Sequence, residues 1–441
     1  MFSNQDLRKL IFPLVIEQAL VMMVGIVDTV MVSYVGEAAI SGVALVDMIN
    51  YLIIVVLSAI DTGGAVIVSQ YLGRKDRKNA GRCASQLLLV TVLLSIAIMG
   101  ICLVFHTMIL ELLFGAIDAD VKKAAVTYFL ITALSFPFLG IYNSSTAIFR
   151  SMQKTKITMY VSVLINVINI AGDAIGIFVL HAGVAGVAVP TLVSRMAGAV
   201  IMLAMSFNEK NQVSVKMREI FAWNKETVKK ILRIAVPNGI ENGLFALGKV
   251  LVTSIVALFG TYQIAANGVA NGIDQIAILV VNAINLAVVT VVGQCSGAGE
   301  YDQAEKYTKK LMKISYIATG ILGLGVCLLL PVIHGFYIIS EETWKLGCIL
   351  VVMHNVLAFL LHPTSFNLSN SLRASGDVKI TMYIGIGSML VFRLGTAVFL
   401  GIVCNMGIIG VWIAMGMDWL ARSVAFSIRY KSGKWKKIRV I

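Results

Sequence analysis

The chain has 441 residues, of which 58% are hydrophobic and only 13% charged, with a mean hydropathy of +0.88; an average soluble chain carries about 25% charged residues, so a water-soluble globular domain is excluded. The net charge of +13 would suit nucleic acid, but the basic residues fall between apolar segments and are not interleaved with aromatic ones, so that class is excluded as well. The six cysteines lie within or at the edge of apolar segments, without metal or disulfide spacing, and read as hydrophobic fillers.

Apolar runs of about 20 residues or more, the length that crosses a bilayer, predict twelve spans: 11–35, 45–70, 85–110, 125–149, 157–180, 184–206, 234–259, 263–293, 312–338, 346–371, 380–404 and 407–428. Arg8 and Lys9 precede the first, but it is too long for the apolar core of a signal peptide and is expected to be a working helix. All six prolines, Pro13, Pro137, Pro190, Pro237, Pro331 and Pro363, stand inside these segments. An interior proline removes a backbone bond and kinks a helix, and membrane helices tolerate this.

The two halves repeat one another. At a constant offset of 224, Pro13, Ile16, Glu17, Leu20, Gly36, Ile40, Gln70, Gly73 and Ala80 recur as Pro237, Ile240, Glu241, Leu244, Gly260, Ile264, Gln294, Gly297 and Ala304. At 223, Lys-Ile-Thr-Met-Tyr of 156–160 returns at 379–383, just after Arg150 and Arg373, and at 224 the Gly-x-x-Gly-Val of 183–187 returns at 407–411. Shared Pro, Gly, Gln and Glu in fixed order are not chance between apolar sequences. The expected fold is therefore an all-α polytopic membrane protein of two parallel six-helix repeats about a central cleft, related by an axis along the membrane normal. Its lobes are 1–206 and 229–441, the second with a basic tail, joined by a polar linker at 207–228.

Lys and Arg give the orientation. The termini and the even-numbered loops with their flanks hold 29 of the 36, whereas the odd-numbered connections hold only Lys122, Lys123 and Lys345. Both termini are thus expected on the cytoplasmic side of the cell (inner) membrane, and rocking of the lobes about the linker is a natural alternating-access design.

A charge at mid-bilayer costs roughly 2.5 to 3.5 kcal/mol on insertion scales, so it persists where it pairs or works. The spans contain Glu17, Asp28, Asp47, Asp61, Asp173, Arg195, Glu241, Lys249, Asp274, Arg393, Asp418 and Arg422. Asp418 and Arg422, four apart on one helix, are expected to pair. Glu17, Asp61, Glu241, Lys249, Asp274 and Arg393 are candidates for a substrate cleft or a charge network. Lys249 and Arg393 would either meet an anionic or zwitterionic substrate group or neutralise Glu241 and Asp274.

Depth selects a sharper group. Asp28 and Asp173 each lie seven residues before the outer end of their spans and Thr191 seven after the outer start of its own. At a rise of about 1.5 Å per residue, all three sit about 10 Å below the outer surface. Asn169 is one turn from Asp173. Two carboxylates, an amide oxygen and a hydroxyl suit a proton or a monovalent cation such as Na+. The alternative is that the acids pair with a buried base such as Arg195 or Lys249. Under the repeat, Asp28, Asn169, Asp173 and Thr191 become Val252, Arg393, Ala397 and Met415, so any ion site belongs to the N-terminal lobe alone.

Several motifs occur in one order: 13–36 ending in Val-Asp-Thr-Val-Met-Val-Ser-Tyr-Val-Gly, Ser69-Gln70 with Gly73 beyond, Asn169-x-x-x-Asp173, the run from Gly183 to Thr191, and Gly260-x-x-x-Ile-Ala-Ala. Together they closely resemble the multidrug and toxic compound extrusion (MATE) family over nearly the whole chain, nearest its prokaryotic DinF-like side. The resemblance implies a secondary antiporter that exports organic compounds, often cationic and amphipathic, in exchange for Na+ or H+. The family's first-helix acid matches Asp28, and its N-lobe cation site matches Asp28, Asn169, Asp173 and Thr191. The chain departs from the NorM-type branch in two places. Glu241 stands only four residues after Pro237, where that branch has its acid nearer mid-helix, and the tenth-helix acid would fall near His362. Pro190 also precedes Thr191 where Ala is common.

A flippase for lipid-linked precursors is the alternative function; it would carry a strongly basic cavity, whereas the N-lobe group is acidic. An enzyme is not expected, because the five histidines are scattered without metal-ligand spacing, and a passive channel sits poorly with the two-lobe repeat. No cofactor is expected beyond the coupling ion. The expected partners are a small organic substrate and membrane lipid, with the protein a monomer, and twenty methionines suit an adaptable lining.

Overall fold

A computed structural model describes residues 1–115, 118–335 and 339–441, so the last three residues of the ninth predicted span, 336–338, lie outside the described residues. The chain forms α1 (Asn4–Ser33), α2 (Glu37–Gly73), α3 (Arg77–Phe114), α4 (Ala119–Leu134), α5 (Phe136–Ser151), α6 (Thr155–Ala174), α7 (Ala185–Ser206), a short α8 (Met217–Phe221), α9 (Lys225–Ala257), α10 (Thr261–Gly297), α11 (Tyr301–His334), α12 (Glu341–Ala374), α13 (Val378–Ser388) and α14 (Gly407–Lys431). Past their ends α6 and α13 continue in wider, π-type turns, Ile175–Val179 after the first and Met389–Gly395 and Ala397–Val403 after the second. No strand occurs among the described residues.

Eleven of these elements are long and apolar enough to cross a membrane, and α4 with α5 makes a twelfth. The protein is thus all-α, with twelve spans in two six-helix repeats, as the apolar runs predict. The fourth span is not one straight helix. It bends by 47° between Leu134 and Phe136, because Pro137 lies in the first turn of α5, where it has no N–H to continue the ladder of the preceding helix.

Local chemistry sets the ends. Ser3 caps α1: Asp6 N donates to Ser3 Oγ at 3.1 Å and Ser3 N donates to Asp6 Oδ2 at 2.8 Å. Gly36 and Gly260, partners at offset 224, hold φ of +129° and +91° at the starts of α2 and α10. Only glycine takes that backbone without strain, so the repeat preserves a turn geometry.

The contacts divide the chain into two compact units, Phe2–Gly239 and Ile240–Ile441 with Met1. Each has its own apolar core, around Val46, Leu57, Phe129 and Phe136 in the first and around Ala266, Leu350, Ala358 and Trp419 in the second. The polar linker docks on the first. Gln86 Nε2 of α3 donates to the carbonyls of Glu219 at 2.6 Å and Ala222 at 2.9 Å, its Oε1 accepts from Asn224 N at 3.0 Å, and Lys216 N donates to Ser85 Oγ at 3.2 Å.

Duplication reaches single contacts. Arg150 pairs with Glu17, to which Thr158 also donates at 3.2 Å; in the second unit Arg373 Nη2 lies 2.6 Å from Glu241 Oε1. Ser144 Oγ donates to Asp61 Oδ1 at 2.8 Å, and at the equivalent positions Asn367 Nδ2 donates to Asn285 Oδ1 at 2.7 Å. One expectation is corrected. Asp418 and Arg422 do not pair: Arg422 Nη2 reaches Glu241 Oε1 at 3.0 Å, while Asp418 accepts from Ser388 Oγ at 2.5 Å and faces Arg393 at 3.8 Å. The partners on α9 and α13 lie across the bundle, where spacing along α14 says nothing.

Candidate functional site

The packing of α6 on α7 places the N-lobe group. Gly176 and Gly186 touch backbone to backbone, and a Cβ at Gly176 would lie 2.3 Å from Gly186 O. A Cβ at Gly172 would likewise meet Pro190 at 2.6 Å, so Pro190 lies in a second close approach of the two helices. Within this close approach Asn169 Nδ2 donates to Thr191 Oγ1 at 3.3 Å, and Thr191 donates in turn to Val187 O at 3.0 Å. Asp173 is fully buried and Asn169 is buried beside it.

From α1, Asp28 comes close enough to Asp173 for the two carboxyls to act on one another's charge. All four sequence-selected residues are therefore brought together. Both oxygens of Asp173 and Oδ1 of Asp28 are buried without a hydrogen-bond donor, and among the described residues no Lys, Arg or His lies within 4 Å of either carboxyl. Pairing with Arg195 or Lys249, the alternative reading, is not what the structure shows. Two adjoining carboxyls without a base, one buried and one half-buried, repel when both are charged, and a proton or small cation between them removes that repulsion.

Asp28 and Thr191 open onto a cavity of about 190 Å3 within the N-lobe, walled by α1, α2, α4 and α7. Sequence reading did not select three of its polar residues: Asp47, Tyr128 and Arg195. Tyr128 OH donates to Asp47 Oδ1 at 3.3 Å, Asn50 Nδ2 to the same oxygen at 3.3 Å, and Arg195 Nη1 to Ser135 Oγ at 2.6 Å. Asp47 and Arg195 were visible as ionisable residues in spans, but Tyr128 carries no charge and no signal in the sequence marks it.

The other candidates are distributed differently. Glu17 and Asp61 lie in the buried N-lobe network with Arg150, Thr158 and Ser144, and do not line the cavity. Glu241 is held by Arg373 and Arg422, and Asp274 by His354 Nδ1 at 3.2 Å and Asn355 Nδ2 at 3.3 Å. Lys249 and Arg393 thus neutralise neither Glu241 nor Asp274. Both instead line a second cavity, of about 200 Å3, within the C-lobe. His362, where the tenth-helix acid of the NorM-type branch would fall, is buried and stacked on Phe366.

Among the described residues no three His, Cys, Asp or Glu side chains converge as a metal centre. A cation held by the N-lobe group would rely on two carboxylates, the Asn169 amide oxygen and the Thr191 hydroxyl, a hard-oxygen set.

Comparison with known proteins places these features in a family. A family model described as MatE matches residues 13–175 and 237–399, two blocks separated by the same offset of 224 as the sequence repeat. The uncharacterized transporter YisQ of Bacillus subtilis is 30% identical, over 98% of this chain and 94% of its own length. A probable multidrug resistance protein NorM of Thermotoga maritima is 24% identical, over 99% and 94%. The crystal structure of a MATE in complex with MaL6 superposes with a TM-score of 0.91 at 21% identity, covering 98% of this chain and 97% of that one.

Proposed function

Because this chain belongs to the MATE family of multi-pass membrane transporters, we propose that it is a secondary antiporter that exports cationic or amphipathic organic compounds in exchange for H+ or Na+. The observation that carries the ion coupling is the adjoining pair of fully buried Asp173 and half-buried Asp28, with no Lys, Arg or His within 4 Å among the described residues. The name of the NorM relative supports organic compounds as cargo. The distribution of Lys and Arg supports a cytoplasmic-membrane location with both termini inside, and the transporter works as a monomer of two lobes.

The coupling follows from charge. Two unit charges 4 Å apart at an effective dielectric of 20 interact by about 4 kcal/mol, close to a thousandfold in an equilibrium constant. Empty, Asp28 and Asp173 push α1 away from α6, on which it packs. A proton or Na+ shared with Asn169 and Thr191 cancels that force and draws α1 in. The ion thereby favours one conformation of the lobe, and by linkage the substrate is released as the ion enters. Pro13 and Gly25 in α1 are points at which the helix can flex.

The test is efflux of a fluorescent organic cation from proteoliposomes under an imposed Na+ or H+ gradient, with the membrane potential clamped. Gradient-driven efflux is expected from wild type and is lost in Asp28→Asn and Asp173→Asn; undiminished coupling in either variant overturns the assignment. One observation favours a second reading, a flippase for lipid-linked precursors: the two cations on the wall of the C-lobe cavity. Efflux indifferent to both gradients would favour it.

A further inference from the structure

The C-lobe cavity is the repeat counterpart of the N-lobe one. Gly25, Asp28, Val32, Val43, Asp47 and Thr191 on the first wall correspond at offset 224 to Lys249, Val252, Val256, Asn267, Asn271 and Met415 on the second. The place is kept and the charge is reversed, because each carboxylate has become apolar or neutral while Lys249 and Arg393 have been added at the positions of Gly25 and Asn169.

These two cations are not the neutralised half of an ion-pair network. Lys249 has no carboxylate within 4 Å among the described residues; it is exposed along the cavity wall, with its ammonium 5.5 Å from the Phe245 ring centre. Arg393 reaches one carboxylate, Asp418, loosely at 3.8 Å, and that oxygen has no hydrogen-bond donor of its own. The Arg393 Nε is buried without an acceptor among the described residues. Trp412 Nε1 donates to Asn267 Oδ1 at 3.0 Å, so what Asn267 has left to offer is its N–H donors. The wall therefore presents an ammonium, a guanidinium N–H and an amide N–H, while its lining contains no carboxylate. Val252, Val256, Val411 and Met415 complete it with apolar surface. Lys249, with no carboxylate within 4 Å among the described residues, is a cation in a span that is costly unless something pairs with it, and these donors match an oxyanion.

We propose that the C-lobe cavity is an anion site that takes the carboxylate or phosphate group of an amphipathic molecule, its oxygens held by Lys249, Arg393 and Asn267 and its apolar part lying on the valine and methionine wall. The site is independent of ion coupling in the other lobe. It gives the transporter two cavities of opposite sign, one for a cation or proton and one for an organic acid, a zwitterion or a lipid headgroup.

The experiment is equilibrium binding of octyl phosphate to the protein in phosphatidylcholine nanodiscs, followed by intrinsic tryptophan fluorescence, with octyltrimethylammonium as the probe of opposite charge. Lys249→Gln removes no ion pair and is expected to fold. It should weaken octyl phosphate at least tenfold, leave octyltrimethylammonium within twofold, and be rescued by Lys249→Arg. Competition identifies the source. Displacement of octyl phosphate by phosphatidylglycerol supports the site as one for a lipid headgroup, and displacement by octanoate or inorganic phosphate supports a soluble anion. Absence of octyl phosphate binding to wild type, or equal affinities in wild type and Lys249→Gln, overturns the proposal. No ion gradient enters the measurement, so its failure is separate from failure of the antiport assay.

Discussion

The two cavities share a position in their lobes and part of their apolar wall, Val32 with Val187 in one and Val256 with Val411 in the other, and differ in the charged and polar groups they present. The N-lobe wall carries Asp28 and Asp47 with Arg195 beyond them, whereas the C-lobe wall carries Lys249 and Arg393. Buried ion pairs behave in the opposite way. Glu17 with Arg150 and Glu241 with Arg373 are retained in both halves, since removing one partner leaves an uncompensated buried charge at a cost of about 3 to 5 kcal/mol. A cavity side chain has water or ligand as its partner and is free of that constraint. Duplication has therefore kept what the fold needs and let the ligand-facing positions diverge.

The comparison breaks first at the acids. Asp28→Asn or Asp173→Asn should reduce gradient-driven efflux to the level of empty vesicles, whereas Ala397→Ser, at the C-lobe equivalent of Asp173, should stay within twofold of wild type. If Ala397→Ser were as damaging as Asp173→Asn in the same flux assay, the lobes would not differ in coupling.

The retained ion pairs sharpen it next. Among the described residues Arg150→Ala leaves Glu17 with Thr158 alone, while Arg373→Ala leaves Glu241 with Arg422 at 3.0 Å. The first should cost about 3 to 5 kcal/mol and the second clearly less, read as the fall in midpoint of thermal unfolding in detergent. Equal falls would show that Arg422 does not stand in for Arg373. A smaller effect is expected from Thr191→Ala, which removes one oxygen from the N-lobe group and with it about 1 to 1.5 kcal/mol. The ion concentration for half-maximal efflux should rise by about tenfold, with the maximal rate retained.

The smallest difference lies at the start of the third helix of each lobe. Asp76 caps α3 by accepting from Asn79 N at 3.1 Å, and Glu300, its partner at offset 224, makes no such bond to α11. Asp76→Ala should cost about 1 kcal/mol and Glu300→Ala close to nothing in the same unfolding measurement. The hydrogen bonds from the Asn79 side chain and backbone hold the Asp76 carboxyl below its ordinary range. Its folded value is thus the lower one, so the Asp76 contribution is present at neutral pH and fades as pH falls through the ordinary carboxylate range. In acid the two variants should converge.

Much of this was legible in the amino-acid order. Span number, the offset of 224, the confinement of paired acids to one half, and the grouping of Asp28, Asn169, Asp173 and Thr191 follow from periodicity, depth and spacing, which covalent connectivity and helix rise set by themselves. Other features depend on which helix faces which. Asp418 and Arg422 are spaced to pair on α14, yet Arg422 turns to Glu241 of α9, which is buried against Gly385, and Asp418 takes Ser388 and Arg393 instead. Tyr128 joins Asp47 from a helix 81 residues away, an approach that no local pattern encodes. Lys249 and Arg393 are visible in the sequence as charges, but only the packing of α9 against the widened end of α13 and α14 makes them neighbours on one cavity wall. Spacing along a helix decides what a side chain can reach on its own element; a bundle interior is decided across elements, where the cost of burying a charge selects the partner.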